Sequence, residues 1–344
     1  MVSIIILNYN GKKYIEDCLK SVLAQSFDDF EIVFVDNGSV DGSIDYVKHN
    51  FFDERIRIVS SEKNIGFAGG NNLGLKNASR DYIVLLNNDT IVDKEWLKNL
   101  YEAISTDEKT GIVQSLVRTE GVPEKYYKKN GTLNLLGHNI MEIFDINENG
   151  IGEIFQANGC SMIIRKDLLN LFGELFLDEY FAYAEDSYLS FKVKFAGLKI
   201  VHTSKSVVKH FGSSTTKEYK LSFRIFLQER NRLLNFLIFF SNNFRLKYYP
   251  ILIFNLKLKL LMSIFSRKYS FTGVLKAYLW ILNKRNWIKK QREKENVTKK
   301  IDEREVIKYL SGKIFNGENF IERFFNFFSL IYCRIVNIKV IELQ

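Results

Sequence analysis

The chain has 344 residues, 46% of them hydrophobic, enough for one large domain with a sizeable core plus an appendage. Its three cysteines, Cys18, Cys160 and Cys333, are far apart and lack metal-ligand spacing, which excludes a disulfide framework and fits a reducing compartment. The net charge of +9 is uneven: residues 1–216 carry 23 Lys and Arg against 30 Asp and Glu, a balance of −7, whereas residues 217–344 carry 26 against 10, a balance of +16.

In chain order, the opening run VSIIILNYN lacks a basic leader and a small-residue cleavage site, so it reads as a strand over 2–7 rather than a signal peptide. Ile15, Leu19, Val22 and Leu23 recur at helical spacing within 12–26. A strand at 31–35, a helix near 41–50, a strand at 56–60, a helix near 70–78, a strand at 82–87 and a helix at 94–105 follow. This alternation predicts an α/β fold, a mostly parallel sheet flanked by helices. Residues 118–155 are weakly patterned and rich in Gly and Asn, as in loops or an acceptor-side insertion. A strand is predicted over 156–165, a helix over 186–196 and strand over 198–210. With only Pro123 and Pro250 there is no proline-rich linker. The shift in charge divides a domain over 1–216, with halves of about 1–115 and 116–216, from a basic helical tail over 217–344.

Within the tail, 217–240 looks helical, and 289–300 is a charged run. The segment 251–265 is apolar but carries Asn255, Lys257 and Lys259, which leaves it too short and too charged for a membrane span. Over 320–338, Glu322, Asn326, Ser329 and Asn337 fall in one helical arc, while Phe324, Phe325, Phe328, Ile331 and Ile335 fill the rest. Basic residues interleaved with large apolar ones predict docking on an anionic membrane surface rather than nucleic acid. Packing on the catalytic domain, or on a second subunit of a homo-oligomer, is the alternative.

The carboxylates carry the functional signal. Asp36 ends EIVFVD, Asp89 ends YIVLLNND, and Glu185 and Asp186 follow EYFAYA. An acid at the carboxyl end of a buried strand points into the crevice where open α/β sheets bind ligands. Three in this order suggest a site for a nucleotide, then a metal, then a base, which reads as sugar transfer from an activated nucleotide donor. Asn8 and Asn10 in SIIILNYNG, with Asp36 and Asn37 in VDNGSVDGS, are placed to meet the nucleotide, Asp36 accepting from a pyrimidine N–H. Ser39 and Asp41 read as turn and cap residues. EKNIGFAGGNNLGL, residues 62–75, is a glycine-rich turn before a helix, able to hold phosphate or ribose through Asn64, Gly69 and Asn71. It is neither a Walker loop nor the dinucleotide fingerprint.

In this order and spacing, SIIILNYNG, VDNGSVDGS, EKNIGFAGGNNLGL and LLNNDT resemble the family 2 inverting glycosyltransferases of GT-A fold, within them the rhamnosyltransferase-like enzymes of bacterial polysaccharide assembly. The similarity covers residues 1 to about 240. It implies a nucleotide-diphospho-sugar donor, dTDP-rhamnose or a UDP-sugar, and a glycan or lipid-linked saccharide acceptor. LLNNDT matches the family's Asp-x-Asp metal segment: Asn87 stands at the first acidic position, Asn88 between, and Asp89 at the last, which implies Mg²⁺ or Mn²⁺ held with one acid fewer. FAYAEDSYLSFKVKFAG matches the acid pair, Asp186 as general base and Glu185 orienting it or touching the acceptor. VVKHFGSST, residues 207–215, matches a late segment that often supplies a metal-binding His, which implies His210. QANGCSMIIRK resembles the acceptor-side strand, with Asn158 and Gly159 lining the cleft. ERNRLL, residues 229–234, resembles a basic segment whose Arg230 contacts diphosphate or pairs with Glu229. His49, His138 and His202 are read as structural and Cys160 as core. These implications describe a metal-dependent enzyme, cytoplasmic and peripheral at the inner face of the cell membrane. The alternative is a nucleotide-sugar-binding or scaffold protein without turnover, against which intact Asp36, Asp89 and Asp186 argue.

Overall fold

The computed structural model describes residues 1–123, 131–140, 146–212, 219–317 and 319–343. The first half follows the predicted alternation: β1 (Val2–Asn8), α1 (Lys12–Leu23), β2 (Phe30–Asp36), α2 (Ser43–Asn50), β3 (Ile56–Ser60), α3 (Gly66–Asn77), β4 (Tyr82–Asn87), β5 (Thr90–Val92) and α4 (Trp96–Ser105). There follow β6 (Thr110–Thr119), the short β7 (Thr132–Leu133), β8 (Asn139–Ile140) and β9 (Ile151–Ile154), then β10 (Ser161–Arg165), α5 (Asp167–Phe172), α6 (Glu185–Phe195) and β11 (Lys199–His210). Nine strands form one sheet in the order β3-β2-β1-β4-β10-β6-β11-β5, with β9 paired to β11. β1, β2, β3, β4, β6 and β11 run one way, and β10, β5 and β9 run against them. The sheet is therefore mostly parallel.

The register places the functional ends side by side. Asn8 pairs with Asp36 across β1 and β2, and Leu7 pairs with Asn87 across β1 and β4. β1 is apolar from Ile4 to Leu7 because both of its faces are covered. Ile4 and Ile6 pack with α1 and α4, whereas Ile5 faces the core that holds α3, α6 and the later helices.

β6 is the strand that the pattern conceals. Gln114 and Ser115 interrupt its apolar run, yet both are buried. Ser115 Oγ lies 2.8 Å from Ser161 Oγ and 3.0 Å from Ser206 Oγ and accepts from Trp96 Nε1 at 3.1 Å, so its polarity is satisfied inside the core. The predicted strand over 156–165 is shorter, β10 alone. Residues 156–160 leave the ladder to form the cleft floor.

The tail consists of α7 (Leu221–Phe239), α8 (Asn242–Phe265), α9 (Phe271–Asn283), α10 (Arg285–Asn296), α11 (Glu303–Ile307) and α12 (Phe320–Ile335). It is not a separate appendage. Phe236, Phe239, Phe240 and Tyr248 join Tyr188, Phe191 and Phe195 of α6 in one continuous core, with Phe191 stacked on Phe239 at 5.4 Å. α8 runs for 24 residues, so the segment expected to be too short belongs to a helix long and apolar enough, by length and composition, to cross a membrane. Its Asn255 and Lys259 are nonetheless buried against Glu229 of α7.

Candidate active site

At the carboxyl ends of β1, β2 and β4, side chains interlock. Asn88 donates from Nδ2 to Asn8 Oδ1 at 2.7 Å, and Asn8 donates to Asp36 Oδ1 and to Ser39 Oγ, each at 3.1 Å. The Ser39 N–H donates to Asp36 Oδ2 at 3.1 Å. Asp36 is thus buried and fixed, with acceptor capacity left on a carboxylate that can take about four hydrogen bonds. Gly11 allows this crossing: a Cβ there would fall 2.0 Å from Asn88 Nδ2. Asn10 adopts a left-handed backbone (φ 49°) and accepts from the Val40 N–H at 2.9 Å. Asn37 donates to Asn64 Oδ1 and to the Gly66 carbonyl, each at 3.1 Å, which ties the end of β2 to the start of α3.

The glycine-rich segment behaves differently from the reading as a ligand turn. It is helix α3 itself, and its glycines let the helix approach the sheet. A Cβ on Gly70 would meet Leu7 Cδ1 at 2.4 Å, and one on Gly74 would meet Ile5 Cγ2 at 2.5 Å. Gly69 faces Ile65, and Asn71 donates back to the Phe67 carbonyl at 2.9 Å. Both are built into the packing of α3 rather than into the Asn8–Asp36–Asn88 cluster.

After β4, the Phe211 N–H donates to the Asp89 carbonyl at 3.0 Å, joining the turn to the end of β11. This brings His210 Nε2 to 3.2 Å from Asp89 Oδ1, an ion pair when the ring is protonated. Burial opposes the imidazolium, but Asp89 and the Cys160 sulfur raise the pKa to about 10, so a cation entering here displaces a proton. The pair suits a divalent cation. Among the described residues no group of three or more His, Cys, Asp and Glu comes together that could hold a metal ion.

The acid pair opens α6. The chain reaches it through Phe181, Tyr183 and Ala184, all left-handed at φ 59°, 73° and 60°. Such residues each cost about 1 kcal/mol or more, and the conformation persists only where surroundings enforce it. α7 enforces it. Asn231 Nδ2 donates to the carbonyls of Tyr180, Ala182 and Tyr183 at 2.8, 2.9 and 2.7 Å. Asn235 accepts from the Tyr180 hydroxyl at 2.7 Å and donates to the Ala184 carbonyl at 3.2 Å. Arg230 donates to the Glu179 and Tyr180 carbonyls and lies over the Phe226 and Trp280 rings, so it does not pair with Glu229.

Glu185 is buried, and its Oε2 has no partner. Burial and the neighbouring Asp186 push its pKa up, which favours the neutral acid. Asp186 is half-exposed. Burial raises its pKa too, while the Ser187 N–H at 2.7 Å and the Gly159 N–H at 3.5 Å pull the other way. Both acids line a cavity of about 410 Å³ together with Asn87, Asn158 and Gly159. The rest of its wall, including His138, Gln228 and Arg232, was not expected from the sequence, and His138 is here a cleft residue rather than a purely structural one.

Residues 3–172 match the family model "Glycosyl transferase family 2". The chain is 26% identical over 220 residues to glycosyltransferase GlyA of Streptococcus pneumoniae, covering 60% of this chain and 30% of that protein. It is 24% identical over 238 residues to the low-salt glycan biosynthesis hexosyltransferase Agl10 of Haloferax volcanii, covering 68% and 74%. It is 38% identical over 103 residues to the putative teichuronic acid biosynthesis glycosyltransferase TuaG of Bacillus subtilis, covering 30% and 41%. The chain spans about a third of the length of several relatives it matches. Among solved structures, GalNAc-T7 with UDP, GalNAc and Mn²⁺ superposes with a TM-score of 0.63 at 15% identity, covering 86% of this chain and 54% of that one. S. aureus TarS 1-349 with UDP-GlcNAc superposes with a TM-score of 0.53 at 17% identity, covering 97% and 90%. These likenesses place the fold as GT-A, and through residues 3–172 the chain belongs to glycosyl transferase family 2.

Proposed function

We propose that the protein is an inverting glycosyltransferase that moves a sugar from a nucleoside-diphosphate donor, dTDP-rhamnose or a UDP-sugar, to a glycan or lipid-linked acceptor in cell-surface polysaccharide synthesis. The observation that carries this reading is the half-exposed Asp186 carboxylate on the same cavity as Asn87, beside the buried Asn8–Asp36–Asn88 cluster. Asp36, Asn8, Asn37 and Asn64 hold the nucleoside end. The acceptor hydroxyl oxygen attacks the anomeric carbon, the bond from that carbon to the diphosphate oxygen breaks, and the proton passes to Asp186. Glu185, kept neutral by burial, adds no second negative charge beside the base. A thermal-shift panel of nucleotide sugars tests the reading: a ligand at a hundred times its Kd adds about 2.7 kcal/mol, and no shift with any sugar nucleotide overturns it.

Asp89 and His210 would hold Mg²⁺ or Mn²⁺, the ion displacing the ring proton. The bound ion supplies neutralisation of the leaving diphosphate. Asp89→Ala is therefore expected to weaken nucleoside-diphosphate binding about tenfold or more while leaving nucleoside binding unchanged. Equal binding in EDTA and in Mn²⁺, measured by calorimetry, contradicts metal dependence.

The tail supports a place on an anionic membrane surface. α12 is turned inside out for a soluble protein. Its polar arc faces the molecule: Asn326 accepts from the Ile314 and Phe315 N–H groups at 2.8 and 2.9 Å, and Ser329 donates to the Gly312 carbonyl. Its apolar side is exposed, with Phe320 at 83%, Phe327 at 60% and Ile335 at 76%. Exposed Ile264 and Phe265 end α8, followed by the exposed Arg267 and Lys268. An apolar face beside basic side chains is the pattern of a helix lying in the interface plane. Wild-type protein is expected to co-sediment with vesicles containing phosphatidylglycerol at low salt. Replacing Arg323 and Arg334 with Gln should weaken this roughly thirtyfold, at about 1 kcal/mol per basic residue. Equal sedimentation with neutral vesicles, or none with anionic ones, rejects the placement.

A further inference from the structure

One wall of the Asp186 cavity is built by the tail and carries positive charge. Arg224, Gln228 and Arg232 stand at i, i+4 and i+8 on one face of α7, and Gln228 and Arg232 line the cavity. Arg232 meets Glu229 through Nη2. The same Glu229 oxygen is also held by Lys259 of α8, which is 8% exposed. Two cations thus share one buried carboxylate. Lys259 Nζ donates to His138 Nε2 at 3.1 Å, which leaves the hydrogen of that neutral ring on Nδ1. Burial, Arg232 and Lys259 together hold the His138 pKa well below its ordinary value. A buried surplus of positive charge is costly unless an anion answers it.

We propose that this wall, Gln228, Arg232 and His138, binds a phosphate group of the acceptor and so holds its hydroxyl against Asp186. The proposal rests on the transferase reading. The wall is assigned to the acceptor because it shares its cavity with the base; Asn87 marks where that cavity meets the donor segment, whereas Asp89 and His210 do not line it. Inversion requires the leaving diphosphate on the face opposite the base. The phosphate could be carried by a lipid or by a polyol-phosphate polymer, since both offer the same anion to the same donors.

The test uses the full-length chain with Mn²⁺, saturated with whichever of UDP, GDP or dTDP binds it. Farnesyl phosphate stands for the lipid source and glycerol 3-phosphate for the polymer source, each titrated by calorimetry. At least one probe is expected to bind wild type, and to bind Gln228→Ala and Arg232→Gln about tenfold or more weakly, as loss of a charge-assisted bond implies. Nucleotide affinity should stay within about twofold, because donor and acceptor contacts are separate. Gln228→Ala removes no bond seen in the fold, so it decides the matter if Arg232→Gln unfolds. The probe that binds identifies the source. Failure of both probes, equal binding to the variants, or loss of nucleotide affinity in place of probe affinity overturns the proposal. If wild type binds no nucleotide, the transferase reading fails instead, and the probes titrated into nucleotide-free protein still decide whether the phosphate site exists.

Discussion

Asp186→Asn is expected to lower sugar transfer by about 10²- to 10⁴-fold, the usual contribution of a positioned general base, with donor affinity within a few-fold of wild type. The amide keeps the shape of the carboxylate and, through its one oxygen, the contact with the Ser187 N–H; it gives up the long one to Gly159 and cannot take the acceptor proton. Glu185→Gln provides the contrast. Burial and Asp186 already favour the neutral acid at position 185, so an uncharged isostere changes little there and transfer should fall by less than about tenfold. The pH profile carries the same sign. A base must be ionised to act, and the Asp186 pKa is raised by burial, so kcat/KM should rise with pH through a value above the ordinary aspartate range. Radiolabelled transfer by both variants across pH decides between them. Asp186→Asn activity within tenfold of wild type, or a larger loss in Glu185→Gln, removes Asp186 from the role of base.

Much of the donor half was legible because its strands are buried on both faces and its turns are short. Continuous apolar runs marked β1, β2 and β4, and the acids at their ends marked the crevice. What stayed hidden depends on contacts distant in sequence. β6 was masked because Gln114 and Ser115 look like surface residues until Trp96, Ser161 and Ser206 are seen beside Ser115. The glycines of α3 were read as a ligand turn, although their neighbours are Leu7 and Ile5 of β1. Composition alone cannot distinguish backbone approach to a phosphate from helix approach to a sheet. The cationic wall was invisible for another reason: Arg232, Lys259 and His138 are each unremarkable locally and meet only when α7, α8 and the β7–β8 loop pack. The available signal is the spacing of Gln228 and Arg232, one turn apart on a helix of the basic tail.

Asn231→Ala is expected to cut transfer about a hundredfold without touching a reacting atom. The loop before α6 holds three left-handed non-glycine residues, and the Asn231 amide shares its two hydrogens among the carbonyls of Tyr180, Ala182 and Tyr183. Alanine leaves three carbonyls without that donor, at a cost of about 1–3 kcal/mol. The strained backbone then has a reason to relax, and Glu185 and Asp186 follow immediately. A displacement of about 1 Å at the base is enough for a hundredfold loss. Asn235→Ala should do less, because it gives up one long bond to Ala184 and one to the Tyr180 hydroxyl. A purely structural role predicts parallel losses in stability, donor affinity and turnover. A positioning role predicts a fall in kcat with donor affinity nearly unchanged, since the Asn8–Asp36–Asn88 cluster makes no hydrogen bond to Asn231. The thermal midpoint and nucleotide Kd of Asn231→Ala, measured beside its kcat, separate the two. Transfer within about threefold of wild type would mean that the loop holds its conformation without α7, and that the acid pair is positioned by α6 alone.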